Sequence, residues 1–253
     1  MLNELGPWPL GYGRRVLASV DSTLDEARRI APELNGPEWI LALDQTAARG
    51  RRGRAWSMPK GNFAATLVMR PSEPPGVAAL RSFVAALAVY DAIAAVTGRP
   101  QGLSLKWPND VLLNGGKLVG ILLESIGQGG QMSHLAIGIG VNLAAAPDPS
   151  EVEATALRPV SLSAETGLIV TPEEFLSHLA TAYATYEIQF QKLGFDPIRT
   201  AWLSRAARLG ETIRARTGNT DAVGVFKDVD KDGQLVLETA NGRVALPAAD
   251  VYF

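Results

Sequence analysis

The sequence predicts an α+β protein: strands and helices interspersed through residue 208, then a small all-β unit of the SH3-like type over 209–253. Three observations predict it. Apolar residues alternate with a period of two in 62–70 and 133–143, and they follow helical spacing around 24–30, 77–98 and 171–193. After Gly210 the texture changes to short β-prone runs separated by Gly, Asn and Asp. And 47% of the 253 residues are hydrophobic, enough for a full core.

Arg14 to Val20 reads as a first strand. Asp21-Ser22-Thr23 then offers an N-cap to a helix carrying Leu24, Ala27 and Ile30, with Asp25 and Glu26 in its first turn, where carboxylates suit the helix dipole. The helix should end near Pro32. Ser22 and Thr23 have two open readings, a cap alone or a cap that also bonds a ligand. Trp39 to Asp44 is a short strand that delivers Gln45. Asn62 to Arg70 is a strong strand, Pro71 to Gly76 a loop, and Val77 to Gly98 a long Ala-rich helix stopped by glycine. Leu103 to Lys106 is strand-like, and Trp107-Pro108-Asn109-Asp110 breaks it, because a residue before proline is pushed away from helix. Val111 to Leu113 and Lys117 to Ser125 form a hairpin about Asn114-Gly115-Gly116. Ser133 to Leu143 is a further strand, and its Gly138 and Gly140 imply close approach by a ligand or a neighbouring strand. Ala144 to Val170 reads as a long loop with a short helix at Ser161 to Thr166, either a functional cover or a partly disordered segment by its length. Thr171-Pro172-Glu173-Glu174 caps a helix to about Leu193, and Pro197 to Leu209 is another. Glu211–Arg216, Ala222–Val229, Gln234–Thr239 and Arg243–Leu246 are the strands of the terminal unit.

Charge and composition narrow the function. The formal net charge is −2, so no general positive field favours nucleic acid. There is no cysteine, hence no disulfide, thiolate metal site or thiol nucleophile, a composition that suits a reducing cytoplasm. Met1 to Gly13 lacks the apolar run of a signal peptide, and Val77 to Val96 is interrupted by Arg81 and Asp91, reading as a buried helix rather than a membrane span. His134 and His178 sit in a strand and a helix and read as structural. Neither a Gly-x-Ser-x-Gly elbow nor a Walker loop is present.

Against that background Ala47-Ala48-Arg49-Gly50-Arg51-Arg52-Gly53-Arg54-Ala55-Trp56 stands out, with four arginines, two glycines and a tryptophan in ten residues. The glycines argue against helix. The stretch is either a solvated turn or a mobile loop that closes over an anion. With Lys106 to Lys117 and Gly138 to Asn142 it supplies arginine, lysine, asparagine and aspartate around permissive backbone. That inventory suits a phosphate or a mixed anhydride: arginine forks grip oxygens in pairs, lysine adds a point charge, and a cluster of cations offsets the repulsion of two anions. Asp110 and Asn109 either hold magnesium through oxygen or close a turn after Pro108. Trp56 either stacks a purine or packs in the core.

These residues resemble the motifs of bacterial biotin–protein ligases. Gln45 through Trp56 is similar to the family's Gly-Arg-Gly-Arg-x-Gly-Arg-x-Trp loop and the glutamine before it. Lys106-Trp107-Pro108-Asn109-Asp110 with Lys117-Leu118-Val119-Gly120-Ile121-Leu122-Leu123-Glu124 is similar to its Lys-Trp-Pro-Asn-Asp block, and Gly138-Ile139-Gly140-Val141-Asn142 to its Gly-Ile-Gly-x-Asn segment. Asp21-Ser22-Thr23 and the stretch Val229 to Leu235 extend the likeness over nearly the whole chain.

The resemblance implies a mixed sheet flanked by helices, related to class II tRNA synthetases, which the reading of strands and helices alone does not identify. It implies ATP-dependent activation of biotin to biotinyl-5′-AMP, followed by transfer to a lysine of a biotin carboxyl carrier protein. It implies that Ser22, Thr23, Gln45 and Gly120 meet biotin, and that Arg49, Gly50 and Arg51 lie along its carboxylate and the adenylate phosphate. Arg54, Trp56, Asn109 and Asn142 serve ATP on this reading, and Asp110 serves Mg2+. Lys117 bridges carboxylate and α-phosphate, with Arg51 as the second catalytic group. Arg52 receives no partner and is expected to face solvent, and the loop is expected to be mobile or disordered without ligand and ordered with the adenylate. Leu24, Ala48 and Gly116 depart from the family's usual Asn, Gly and basic residue. About a dozen residues precede the first strand, so operator binding is not expected. The expected partners are biotin and the carrier protein, neither DNA nor a membrane, with the chain a monomer or weak homodimer in the cytoplasm. A lipoate–protein ligase is the nearest rival, but its Arg-Arg-x-Ser-Gly-Gly-Gly motif is missing. A nucleic-acid binder using the arginine cluster and the barrel is the rival from another class.

Overall fold

The computed structural model describes residues 7–129, 131–148, 157–217, 221–247 and 249–252. Seven strands form one mixed sheet: β1 (Gly13–Leu17), β2 (Glu38–Ala42), β3 (Phe63–Met69), β4 (Leu103–Lys106), β5 (Asp110–Leu113), β6 (Gly116–Gln128) and β7 (Gln131–Val141), in the order β1-β2-β3-β7-β6-β5-β4. β1 runs parallel to β2, and every other pair is antiparallel. The helices are α1 (Thr23–Ile30), α2 (Pro75–Ala79), α3 (Arg81–Thr97), α4 (Leu162–Thr166), α5 (Pro172–Leu193) and α6 (Phe195–Leu203). Five antiparallel strands follow: β8 (Thr212–Arg216), β9 (Asp221–Val229), β10 (Leu235–Thr239), β11 (Gly242–Leu246) and β12 (Asp250–Tyr252). They form a second, open sheet in the order β11-β10-β9-β8-β12.

The strand alternation gives the main sheet two unlike faces. Trp39 and Leu41 of β2, Phe63, Leu67 and Met69 of β3, and Ile137, Ile139 and Val141 of β7 are buried beneath α3 and α5. The opposite face carries Ile40, Val68 and Ala136, covered by Leu24, Ala27 and Ile30 of α1. Next to α1 that face bears small residues, which leaves room for a site. Capping follows the sequence signals: Ser22 Oγ accepts from Leu24 N at 3.2 Å, Thr171 Oγ1 accepts from Glu174 N at 3.2 Å, and α3 stops at Gly98 with φ 70°. The segment Pro75–Thr97 is long and apolar enough to cross a membrane, but it is 67% buried here, packed between the sheet, α5 and α6.

Strand ends move by one to three residues, and four further differences from the sequence reading stand out. The first strand ends at Leu17 rather than Val20, because pairing with β2 breaks and resumes as a parallel bridge between Val20 and Gln45. The long helix is divided at Leu80 into α2 and α3. The last helix spans Phe195–Leu203, not Pro197 to Leu209, because residues 205–207 turn to bond the edge of β4: Leu105 N donates to Arg205 O and Ala207 N to Leu105 O, both at 2.8 Å. That contact covers a sheet edge that would otherwise invite foreign strands. β12 has no counterpart in the sequence reading. Parts of three sequence expectations lie outside the described residues: the N-terminal segment at 1–6, the long loop at 149–156, and the turn before β9 at 218–220.

Candidate active site

The small-residue face of the sheet builds the floor. Cross-strand pairing places Ala42, Ala64, Gly140, Gly120, Asp110 and Lys106 in one row across six strands. Residues opposite one another in register share a face, so a bare glycine floor runs directly into an acidic and a basic side chain. The adjacent row, Ile40, Thr66, Gly138 and Leu122, lies under α1. Above these rows opens a cavity of about 530 Å³. All of Ser22, Thr23, Gln45, Arg49, Gly50, Arg51, Arg54, Trp56, Asn109, Asp110, Lys117, Gly120 and Asn142 border it. The residues expected from sequence are thus brought together from six separate segments.

At the apolar end Thr66 Oγ1 donates to Thr23 Oγ1 at 2.8 Å, and Gln45 Oε1 accepts from Thr23 N at 2.7 Å. Ser22 serves as the cap of α1, and a hydroxyl that accepts can still donate. Leu24 fills the space above Gly138, where a Cβ would lie 3.1 Å from it. The glycines of the floor therefore have a different reason from the one expected. A Cβ on Gly140 would come within 2.7 Å of the Trp56 indole, and one on Gly120 within 2.9 Å. It is Trp56 that approaches the backbone so closely. Gly116 has a similar cause, since a Cβ there would lie 2.3 Å from Val160 Cγ1.

At the polar end Lys117 Nζ lies 2.8 Å from Asp110 Oδ1, with Lys106 Nζ 3.7 Å from Oδ2. Lys117 Nζ also stands 5.8 Å from the centre of the Trp56 ring. Lys117 reaches this face because of a β-bulge: Val111 pairs with Val119 but Leu112 pairs with Lys117, leaving Leu118 as the extra residue. Strict alternation from Gly120 would turn position 117 toward the helices, and the bulge reverses it. Burial lowers the pKa of Lys106, and Lys117 and Arg51 push it the same way against the pull of Asp110. Burial likewise lowers that of Arg51.

The arginine stretch is a closed hairpin. Trp56 N donates to Ala48 O at 3.0 Å, Gly50 N to Arg54 O at 2.7 Å, and a 3-10 turn at Arg51–Gly53 forms the tip. Arg51 Nη1 donates to Asn109 Oδ1 at 3.4 Å, and the amide of Asn109 is itself tied to Ile121 O. Arg49 does not point freely at the cavity: it grips Asp25 through two bonds of 2.5 and 2.9 Å and meets Glu124 at 3.2 Å, which raises its basicity. Arg52 does not simply face solvent, because its Nη1 lies 2.5 Å from Asp250 Oδ2. Asn142 borders the cavity with its amide turned into the protein, donating to Val160 O at 3.0 Å and accepting from Asn62 at 3.5 Å. Asp25, Glu124, Thr66 and Asp250 were missed as site residues: Asp25 reads as a helix-dipole acid and Glu124 as the end of its motif block, and no local pattern marks Thr66 or Asp250. Each is placed by tertiary pairing. Among the described residues no three metal-ligating side chains gather; Asp110 is the carboxylate in contact with both Lys106 and Lys117. The arrangement can hold an apolar body at one end and two anionic groups at the other.

Comparison with known proteins shows the family. A family model described as the biotin/lipoate A/B protein ligase family matches residues 13–142, and one described as the biotin protein ligase C terminal domain matches 209–253. A biotin–[acetyl-CoA-carboxylase] ligase of Paracoccus denitrificans is 56% identical over 94% of this chain and 99% of its own length. The bifunctional ligase/repressor BirA of Bacillus subtilis is 34% identical over 93% of this chain and 71% of its own. Among solved structures, a biotin protein ligase from Aquifex aeolicus in complex with biotin and ATP superposes with a TM-score of 0.82 at 25% identity, covering 94% of this chain and 97% of that one.

Proposed function

The chain belongs to the biotin/lipoate A/B protein ligase family, and from that premise we propose that it is an ATP-dependent biotin–protein ligase acting on a biotin carboxyl carrier protein. The observation that carries this reading is a cavity with a glycine floor, apolar around Leu24 and Leu122, and lined by Arg51, Arg54, Lys106 and Lys117 at its other end. Such a cavity suits a fused apolar ring system with a carboxylate tail, next to a triphosphate.

The reaction on this reading has two halves. A biotin carboxylate oxygen attacks the α-phosphorus of ATP. A C–O–P anhydride forms, the α–β bond breaks, and pyrophosphate leaves. The amine of an acceptor lysine then attacks the anhydride carbonyl, forming the amide and releasing AMP. Lys117 offsets the repulsion between carboxylate and phosphate in the first half, with Arg51 beside it, because cations fixed in a site with little water act far more strongly than in solution. Thr23 and Gln45 orient the ring end. Arg54 and Trp56 serve the nucleotide. The closed hairpin excludes water from an anhydride prone to hydrolysis. With one carboxylate and no cluster of metal-ligating side chains among the described residues, the site would take Mg2+ only together with the triphosphate: Asp110 would help hold the ion, which would neutralise phosphate charge. A cytoplasmic location belongs to the same proposal.

The test is to mix the protein with biotin and ATP, trap the product by mass spectrometry, and then add a carrier domain and blot with streptavidin. Biotinyl-AMP and a biotinylated carrier are expected, with lipoate giving neither. Failure to bind biotin below millimolar concentration would refute the proposal.

A further inference from the structure

The tip of the arginine hairpin is held from the far end of the chain. Asp250, the first residue of β12, lies 2.5 Å from Arg52, 3.8 Å from Arg51 and 3.8 Å from Arg54. The two roots of the hairpin have other anchors: Arg49 on Asp25 and Glu124, and Trp56 on the glycine floor. At the tip Asp250 is an anchor beside the Arg51–Asn109 bond.

Two further observations give this contact weight. Arg52 has φ 57° and ψ 27°, the left-handed region that a non-glycine residue seldom occupies unless its surroundings impose it. Its bond to Asp250 is such an imposition. Asp250 is also firmly seated, for β12 pairs with β8 through Asp250–Arg216 and Val251–Ala215, and Ala249 and Val251 are buried. Three guanidinium groups lie within 4 Å of this one carboxylate, so the contact draws the hairpin tip onto the second sheet.

We propose that Asp250 is a positioning residue that latches the arginine hairpin over the cavity, so that the C-terminal sheet sets how long the acyl-adenylate is retained. The proposal rests on the ligase reading above. It assigns Arg52, rather than Arg51, as the principal partner, so loss of either member of the pair loosens the tip, Asp250 the more because Arg51 and Arg54 also face it.

The experiment compares wild type with Asp250→Asn, Asp250→Glu and Arg52→Ala. Each protein is loaded with biotin and ATP, desalted rapidly, and followed for release of biotinyl-AMP. In parallel, each is treated with trypsin and cleavage within residues 49–54 is timed. Asp250→Asn and Arg52→Ala are expected to release the adenylate about 3- to 10-fold faster, the range of a partly desolvated ion pair, and to be cut faster at the hairpin. The urea midpoint of Arg52→Ala is expected to be unchanged, and Asp250→Glu to restore retention. Wild-type release and cleavage in both Asp250→Asn and Arg52→Ala would overturn the latch. Should Asp250→Asn fail to fold, Arg52→Ala decides alone. Should wild type form no adenylate, the ligase reading falls, and the cleavage rates still decide whether Asp250 holds the hairpin.

Discussion

Lys117 owes its place to one extra residue in a strand. With Leu118 bulged, its ammonium meets Asp110 at 2.8 Å on the glycine floor instead of pointing into the helices. Lys117→Ala is expected to slow biotinyl-AMP formation by about 100-fold or more, the scale of losing one preorganised charge at a reacting centre. Quench-flow measurement of pyrophosphate release checks this, and a normal rate would remove Lys117 from the first step. His134 has no part in the site and makes a different prediction. Its ring is buried, lies 3.2 Å from Arg70 Nη2 and bonds Ser133 Oγ at 3.1 Å. Burial first, and Arg70 second, hold its pKa below the usual 6.5. The folded chain therefore binds this proton more weakly than the unfolded chain. Stability declines as pH falls through 6.5 toward the lowered value, and above 6.5 the group contributes no dependence. Urea unfolding at about pH 7.5 and about pH 5.5 should show a smaller acid loss in His134→Gln than in wild type. The arginine stretch was legible in the sequence because its composition is unusual for a near-neutral chain, whereas Ser22, Thr23, Gln45 and Gly120 were assigned to the site by the family resemblance alone. The partners of the arginines were not legible: Glu124 lies 75 positions from Arg49, and Asp250 lies 198 from Arg52.

At the scale of elements, the row Ala64–Gly140–Gly120 across β3, β7 and β6 decides how the hairpin root sits. Gly140→Ala would drive a Cβ to 2.7 Å from the indole of Trp56, whereas Gly138→Ala would meet Leu24 at 3.1 Å. The indole is wedged against two strands, so the first substitution should cost about 1–3 kcal/mol and weaken biotin and ATP binding together, as measured by urea unfolding and calorimetry. The second should be milder, because a leucine can shift its rotamer. Helix α1 was legible nearly to the residue, since its cap, acidic first turn and apolar spacing are all local. The glycines were legible as sites of close approach, but what approaches them was not. That depends on which strands become neighbours, and β3 and β7 meet across about seventy residues of intervening chain. The bulge and the shortened α6 escaped for the same reason, both being set by pairing partners rather than by propensity.

On the scale of the whole molecule, the proposed division at 208/209 separates two sheets but not two cores. One buried cluster includes Phe83, Phe195 and Trp202 of the helical layer together with Ile213, Phe226, Leu235 and Val251 of the second sheet. Trp107 Nε1 donates to Gly233 O at 3.0 Å, and Arg199 reaches Asp228 at 2.5 Å. Arg81, 1% exposed, binds Glu187 at 2.7 Å and Glu73 at 3.0 Å inside the first layer. A shared core predicts one cooperative unfolding transition. Far-ultraviolet and near-ultraviolet circular dichroism should give coincident urea curves, and two separated transitions would mean the sheets unfold independently. The type of each layer was legible from periodicity and from the change of texture after Gly210. The fusion of the layers was not, because it rests on side chains that read as ordinary core residues in their own segments.

The seating of Trp56 has an optical consequence. Trp39, Trp107 and Trp202 are at most 3% exposed, and Trp8 packs against the main core, whereas Trp56 forms part of the cavity wall. A small collisional quencher diffusing in solution therefore reaches Trp56 through the same opening a ligand uses. In a Trp8→Phe background the quenchable fraction of the emission belongs to that one indole. The protein carries its own occupancy gauge: whatever fills the cavity shields the light that comes from its wall.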